Sequence, residues 1–180
     1  MKKTVRVWWK CLSAKSAIVC GVLMMSGIVS LNAIAQTKPA PAVRAQHGDW
    51  QIVCRKPAGA KNEACAAVQD VTSESNPNVG LSVHFQRASD GSRALRVFAP
   101  LGVLLPPGLG LQIDKAKVGH APFVRCHVIG CFAQVTLDNT LMEKFQAGKT
   151  AWFIVFQTKE AGIGIPVSLN GLAEAMDGLK

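Results

Sequence analysis

The side chains best suited to chemistry are the cysteines and histidines. Cys11 and Cys20 fall in an N-terminal leader treated below, which leaves Cys54, Cys65, Cys126 and Cys131 for the working chain. Their spacings, C-x10-C and C-x4-C, lack the C-x2-C pairs of a structural zinc site. Four cysteines in an exported chain instead predict two disulfides, for which three connectivities exist. The local pairing Cys54–Cys65 and Cys126–Cys131 is favoured, because each pair fits a hairpin-like segment. Closing such short loops stabilises by ~2–3 kcal/mol each on the chain-entropy model.

The histidines are His47, His84, His120 and His127. His84 alternates with Val83 and Phe85 and is expected on the outer face or rim of a strand. His120 precedes Pro122 in an expected turn, and His127 falls in an expected hairpin loop. A site joining His120 and His127 to Asp114 or Asp138 would need distant loops to meet, and no spacing asks for it. The sequence has no G-x-S-x-G, H-E-x-x-H, Walker A or C-x-x-C motif. Gly108-Leu109-Gly110 and Gly162-Ile163-Gly164 begin like G-x-G loops without a third glycine opening a helix, so they read as turn glycines. No catalytic residue, metal ligand or cofactor is assigned, and the chain is read as a non-enzyme.

The most unusual stretch is Ala99 to Leu111, APLGVLLPPGLGL. It holds too much proline and glycine for a helix or interior strand, yet it is almost wholly apolar. Val103, Leu104, Leu105, Pro106 and Pro107 are the candidate contact patch, since exposed apolar patches mark interaction sites. Leu109 and Leu111 are expected in the core, and at least one of Val103, Leu104 and Leu105 is expected to be exposed. The competing reading makes the whole segment a plug for the core.

The elements that must position these residues follow a leader. Residues 1–15 carry Lys2, Lys3, Arg6, Lys10 and Lys15 and no acid, and residues 17–35 are uncharged and largely apolar. Ala33-Ile34-Ala35 ends the run in a small-x-small pattern, so residues 1–35 read as a cleavable signal peptide. Residues 36–46 read as a flexible Pro/Ala-rich tether, and residues 47–180 as one domain. The full chain has 20 Lys and Arg against 11 Asp and Glu; without the five basic residues of the leader the balance is +4. That charge, spread without runs, removes the bulk electrostatic case for nucleic-acid binding.

Within the domain, Trp50, Ile52 and Cys54 alternate with polar positions. Leu81–Gln86 and Leu95–Ala99 alternate likewise and flank Asp90-Gly91 as a hairpin. Phe123–Cys126 and Cys131–Leu137 predict a second hairpin. Thr140-x-x-Glu143 matches a capping box for a helix carrying Leu141, Met142 and Phe145, with Gly148 at its C′ position. Ala151–Phe156 is apolar on both faces and predicts a strand buried between two layers. Ile163, Ile165, Val167 and Leu169 predict a late strand, after which Asn170 would cap a terminal helix through Leu172 and Met176. Many short strands with few helices indicate an all-β sandwich or barrel.

The order of these segments resembles a known family. Gly48-Asp49-Trp50 precedes Cys54. Then come Arg96 to Leu109 (RVFAPLGVLLPPGL), Ile113-Asp114, and Pro122-Phe123-x-Arg125-Cys126-x4-Cys131. Phe156-Gln157-Thr158 and Gly162 to Leu169 (GIGIPVSL) close the pattern. Together they resemble the invasion-associated locus B family of exported bacterial proteins. The resemblance implies an immunoglobulin-like antiparallel β-sandwich and an envelope location in a Gram-negative cell, periplasmic, outer-membrane associated or secreted. In some pathogens it implies a link to host-cell invasion. It brings no catalytic residue. The leading expectation is therefore a non-enzymatic envelope protein, not membrane-spanning once processed, that binds a protein or envelope polymer. A hydrolase or transferase with a scattered His/Asp site, or a periplasmic ligand carrier, are the alternatives.

Overall fold

A computed structural model describes residues 42–88 and 90–179. The leader read over residues 1–35 lies outside the described residues, as do 36–41 of the tether. In chain order the elements are β1 (Ala42–His47), β2 (Trp50–Arg55), β3 (Ala64–Thr72), β4 (Gly80–Arg87), β5 (Arg93–Ala99), β6 (Leu109–Ile113) and β7 (Ala116–Ala121). After them come β8 (Phe123–His127), β9 (Gly130–Thr136), α1 (Asn139–Ala147), β10 (Thr150–Phe156), β11 (Gly162–Ser168) and α2 (Leu172–Asp177).

Period-two alternation decides the architecture, because it gives each strand one apolar face to bury. Trp50, Ile52 and Cys54 point inward from β2, Leu81, Val83 and Phe85 from β4, and Leu95, Val97 and Ala99 from β5. These strands join a seven-stranded antiparallel sheet in the order β1-β2-β3-β4-β5-β9-β8. Ala151, Phe153 and Val155 of β10, with Ile165 and Val167 of β11, face them from a four-stranded sheet ordered β11-β10-β6-β7. The result is the antiparallel β-sandwich expected, with two short helices and two local disulfides, Cys54–Cys65 and Cys126–Cys131.

Phe85 anchors the core, edge-on to Trp50 at 5.3 Å and to Phe145 of α1 at 5.1 Å. Polar ties hold the sheets together at the β3–β11 side. The buried Gln69 side chain donates to the carbonyls of Asp49 and Ser168 and accepts from the Ser168 N–H, while Trp50 Nε1–H also donates to Ser168. Every polar atom that this costs is thus repaid by a partner.

Several expectations need correction. The tether does not extend to residue 46, because Ala42–His47 pairs with β2 as an edge strand. The helix does not begin with Thr140. Asp138, two residues earlier, has extended backbone, and its carboxylate accepts from Leu141 N–H at 2.7 Å. Starting there turns Met142 and Phe145 into the core. Gly148 is extended rather than left-handed, and its need for glycine is steric. A Cβ there would come within 2.5 Å of Ile113 Cγ2. Asn170 does not cap α2. Gly171 does, at φ 83, pressed so closely on the His47 carbonyl that no side chain fits. Strand β10 is central in its sheet, but only one face is covered. Trp152 on the other face is 38% exposed. His120 lies in β7 rather than in a turn.

Candidate functional site

The residues considered for catalysis are dispersed and structurally engaged. His84 projects from the outer face of the large sheet, where it shares a 2.7 Å hydrogen bond with Ser82 and tilts against Phe98. Burial lowers its pKa from 6.5 to about 4; Asp70 opposes this, and Arg55 and Arg96 reinforce it. It is therefore neutral at pH 7. His120 and His127 are exposed on β7 and β8. The acids that a histidine site would need serve the backbone instead. Asp114 accepts from Lys149 and Thr150 N–H, and Asp138 caps α1. Among the described residues no three His, Cys, Asp or Glu side chains are placed to hold a metal.

The two G-x-G pairs form no phosphate cradle. Gly108 turns at φ 71 against the Ala121 carbonyl, whereas Gly110, Gly162 and Gly164 sit within strands. The last two lack side chains because Ile154 and Trp152 of β10 lie over them. The turn-glycine expectation therefore holds for Gly108 and is corrected for Gly110, Gly162 and Gly164.

The apolar segment between β5 and β6 is split between core and solvent. Val103 is 8% exposed and packs in the core, so it drops out of the candidate patch. Leu104 and Pro107 are half-buried, and Leu104 N–H donates to the Phe156 carbonyl at 2.7 Å, pinning the loop to the small sheet. Leu105 is 47% exposed and Leu101 55%, with Pro106 also open to solvent. Leu109 is buried in β6, and Leu111 is half-buried but packed on the core.

A second apolar element projects beside this loop. The β8–β9 hairpin pairs His127 with Gly130, leaving Val128 and Ile129 as a two-residue tip that is 91% and 85% exposed. Two-residue tips favour Asn-Gly or its like, and β-branched residues are poor turn formers. Here Cys126 and Cys131 face each other one pair below the tip and tie the strands covalently. Gly130 packs on the Ala99 carbonyl and Pro100, at the start of the β5–β6 loop. Four of the seven large apolar side chains exposed among the described residues, Leu101, Leu105, Val128 and Ile129, thus arise from two adjoining loops at one end of the large sheet. The sequence reading missed Leu101 and the hairpin tip. The missed signal was a Val-Ile pair where a hairpin tip calls for turn formers.

On the large sheet's outer face, the groove beside Ile129 holds about 610 Å³ and is lined by His84, Phe98, Arg55 and Arg96. Arg96 and Arg125 each lie 5.5 Å from the Phe132 ring centroid, within cation–π range.

A family model described as "Invasion associated locus B (IalB) protein" matches residues 50–180. Two proteins named Invasion protein B homolog, from Brucella abortus strain 2308 and from biovar 1 strain 9-941, are each 23% identical over 155 residues, covering 84% of this chain and 88% of theirs. The crystal structure of invasion associated protein b from Bartonella henselae superposes with a TM-score of 0.64 at 22% identity, covering 77% of this chain and 95% of that one. That likeness shows the shared fold.

Proposed function

Because this chain belongs to the invasion-associated locus B family, we propose that it is an exported envelope protein that acts by binding a protein or envelope partner rather than by catalysis, in support of host-cell invasion or surface integrity. The observation that carries this reading is the apolar end formed by Leu101, Leu105, Val128 and Ile129. Large aliphatic side chains held in water forgo ~25 cal/mol per Å² of burial, and here a disulfide and a proline pair hold them there. Preorganisation of this kind lowers the ordering cost of binding. Asp114 and Asp138, the acids considered for a histidine site, are taken up by backbone N–H groups, and among the described residues no three metal-ligating side chains come together. Among the described residues no helix is long and apolar enough to cross a membrane.

The test replaces Leu105, Val128 and Ile129 together by serine in the producing bacterium. Export and folded protein are expected at normal levels, with loss of the invasion or envelope phenotype that deleting the gene produces. A variant strain indistinguishable from wild type would overturn the reading.

A further inference from the structure

A blind apolar pocket of about 180 Å³ opens between the two sheets where β7 passes over β9. Leu95, Leu109 and Phe153 form its buried floor, Ala121 and Ala133 line it from opposite sheets, and Leu141 of α1 stands half-exposed at its mouth. Protein interiors close-pack to leave few voids larger than a water molecule. An apolar cavity of ~150 Å³ stays dry and takes up benzene. Small side chains border the space, Ala121 and Ala133 among them, and Gly119 of the exposed β7 strand adds none. His120, on the exposed β7 strand, is the one polar residue of the lining.

A second groove shares one lining residue, Val118, with this pocket. The register of β6 and β7 pairs Leu111 with Gly119 but Gln112 with Lys117, so Val118 is an extra, bulged residue. Val118 lines both the apolar pocket and an adjoining groove of about 430 Å³ that carries Lys115, Lys117 and Lys144. The one acid in that groove, Asp114, has its carboxylate occupied by the Lys149 and Thr150 N–H groups. A hydrocarbon slot thus lies beside a cationic shelf, with Val118 between them.

We propose that pocket and groove together hold a single-chain anionic amphiphile, its hydrocarbon tail between the sheets and its carboxylate or phosphate head on Lys117 and Lys144. The tail supplies affinity through burial, and the lysines select the sign of the head. This site lies apart from the apolar end assigned above, and neither reading depends on the other.

Calorimetric titration of the delipidated, exported chain with four ten-carbon probes tests it: decanoate, decyl phosphate, decanol and decyltrimethylammonium. Decanoate or decyl phosphate should bind with one-to-one stoichiometry, and the tighter of the two identifies the head group. Decanol should bind about fivefold more weakly and the cation about tenfold more weakly than the preferred anion. Val118→Trp should weaken the anions and decanol by at least about tenfold by filling the mouth. Leu141→Trp, placed on the helix side of the same mouth, repeats that test should the first variant fold poorly by circular dichroism. Lys117→Gln with Lys144→Gln should bring the anions to the decanol level and leave decanol unchanged. Failure of both anions to bind, equal binding of the cation, or wild-type affinity in a folded mouth variant would overturn the proposal.

Discussion

Removing the two disulfides one at a time should separate stability from contact. The Cys54–Cys65 bridge closes a separation of 11 residues and Cys126–Cys131 one of 5. The chain-entropy relation makes these worth ~3 and ~2 kcal/mol respectively at 25 °C. Replacing Cys54 and Cys65 together by alanine should therefore destabilise the domain more than replacing Cys126 and Cys131. The order of functional damage should be the reverse. The first bridge ties β2 to β3, which β4 and β5 separate from β9, whereas the second lies one pair below Val128 and Ile129. Without it, a tip of poor turn formers loses the constraint that holds it in place. Urea unfolding followed by the fluorescence of Trp50, which is buried edge-on to Phe85, gives the stabilities. Crosslinking pull-downs from intact cells give the contact. A Cys126→Ala, Cys131→Ala variant that captures its partner as well as wild type would refute the reasoning that a braced tip is needed. Greater destabilisation from that pair than from Cys54 and Cys65 would refute the loop-entropy ranking.

Other outcomes follow from single positions. Leu109→Ala, in the core, should cost ~2–5 kcal/mol in denaturant melts, while Leu105→Ala should stay within about ±0.5 kcal/mol. Asp138→Ala should cost ~1 kcal/mol by removing the helix cap, and Thr140→Ala should leave the helix start intact, both read by thermal unfolding. His84 binds its proton less readily when folded, at about 4 against 6.5. The unfolded chain therefore holds more protons between those values, and stability should fall as pH drops from 6.5 towards 4. Replacing His84 by glutamine should flatten that window, and an unchanged pH profile would contradict the assignment.

The strands were legible because one face of each is buried and alternation records which. Trp50, Ile52 and Cys54 announce β2, just as Leu95, Val97 and Ala99 announce β5. Strand β1 was not legible. Its burial pattern is mostly exposed, and only pairing with β2 makes it a strand. The helix start was misplaced because Asp138 and Thr140 are both capping residues two positions apart, and the choice between them depends on which register sends Met142 and Phe145 inward. Of the apolar end, Leu105 alone was singled out, in the proline-rich loop. The hairpin tip, Val128 and Ile129, becomes meaningful only when Gly130 packs against Ala99 and brings hairpin and loop together. The pocket between the sheets had no sequence signal at all, because it arises where Ala121 and Ala133, distant in the alternation, meet across the sandwich.

The most direct test of the apolar end as the contact surface is site-specific photocrosslinking in intact cells. A photoreactive amino acid would replace Leu105, Ile129 or, as a control beside the β6–β7 turn, Lys117. Ultraviolet adducts of one size are expected from positions 105 and 129 and absent from 117. Adducts from 117 alone, or none from 105 and 129 in folded, exported protein, would contradict the contact surface outright.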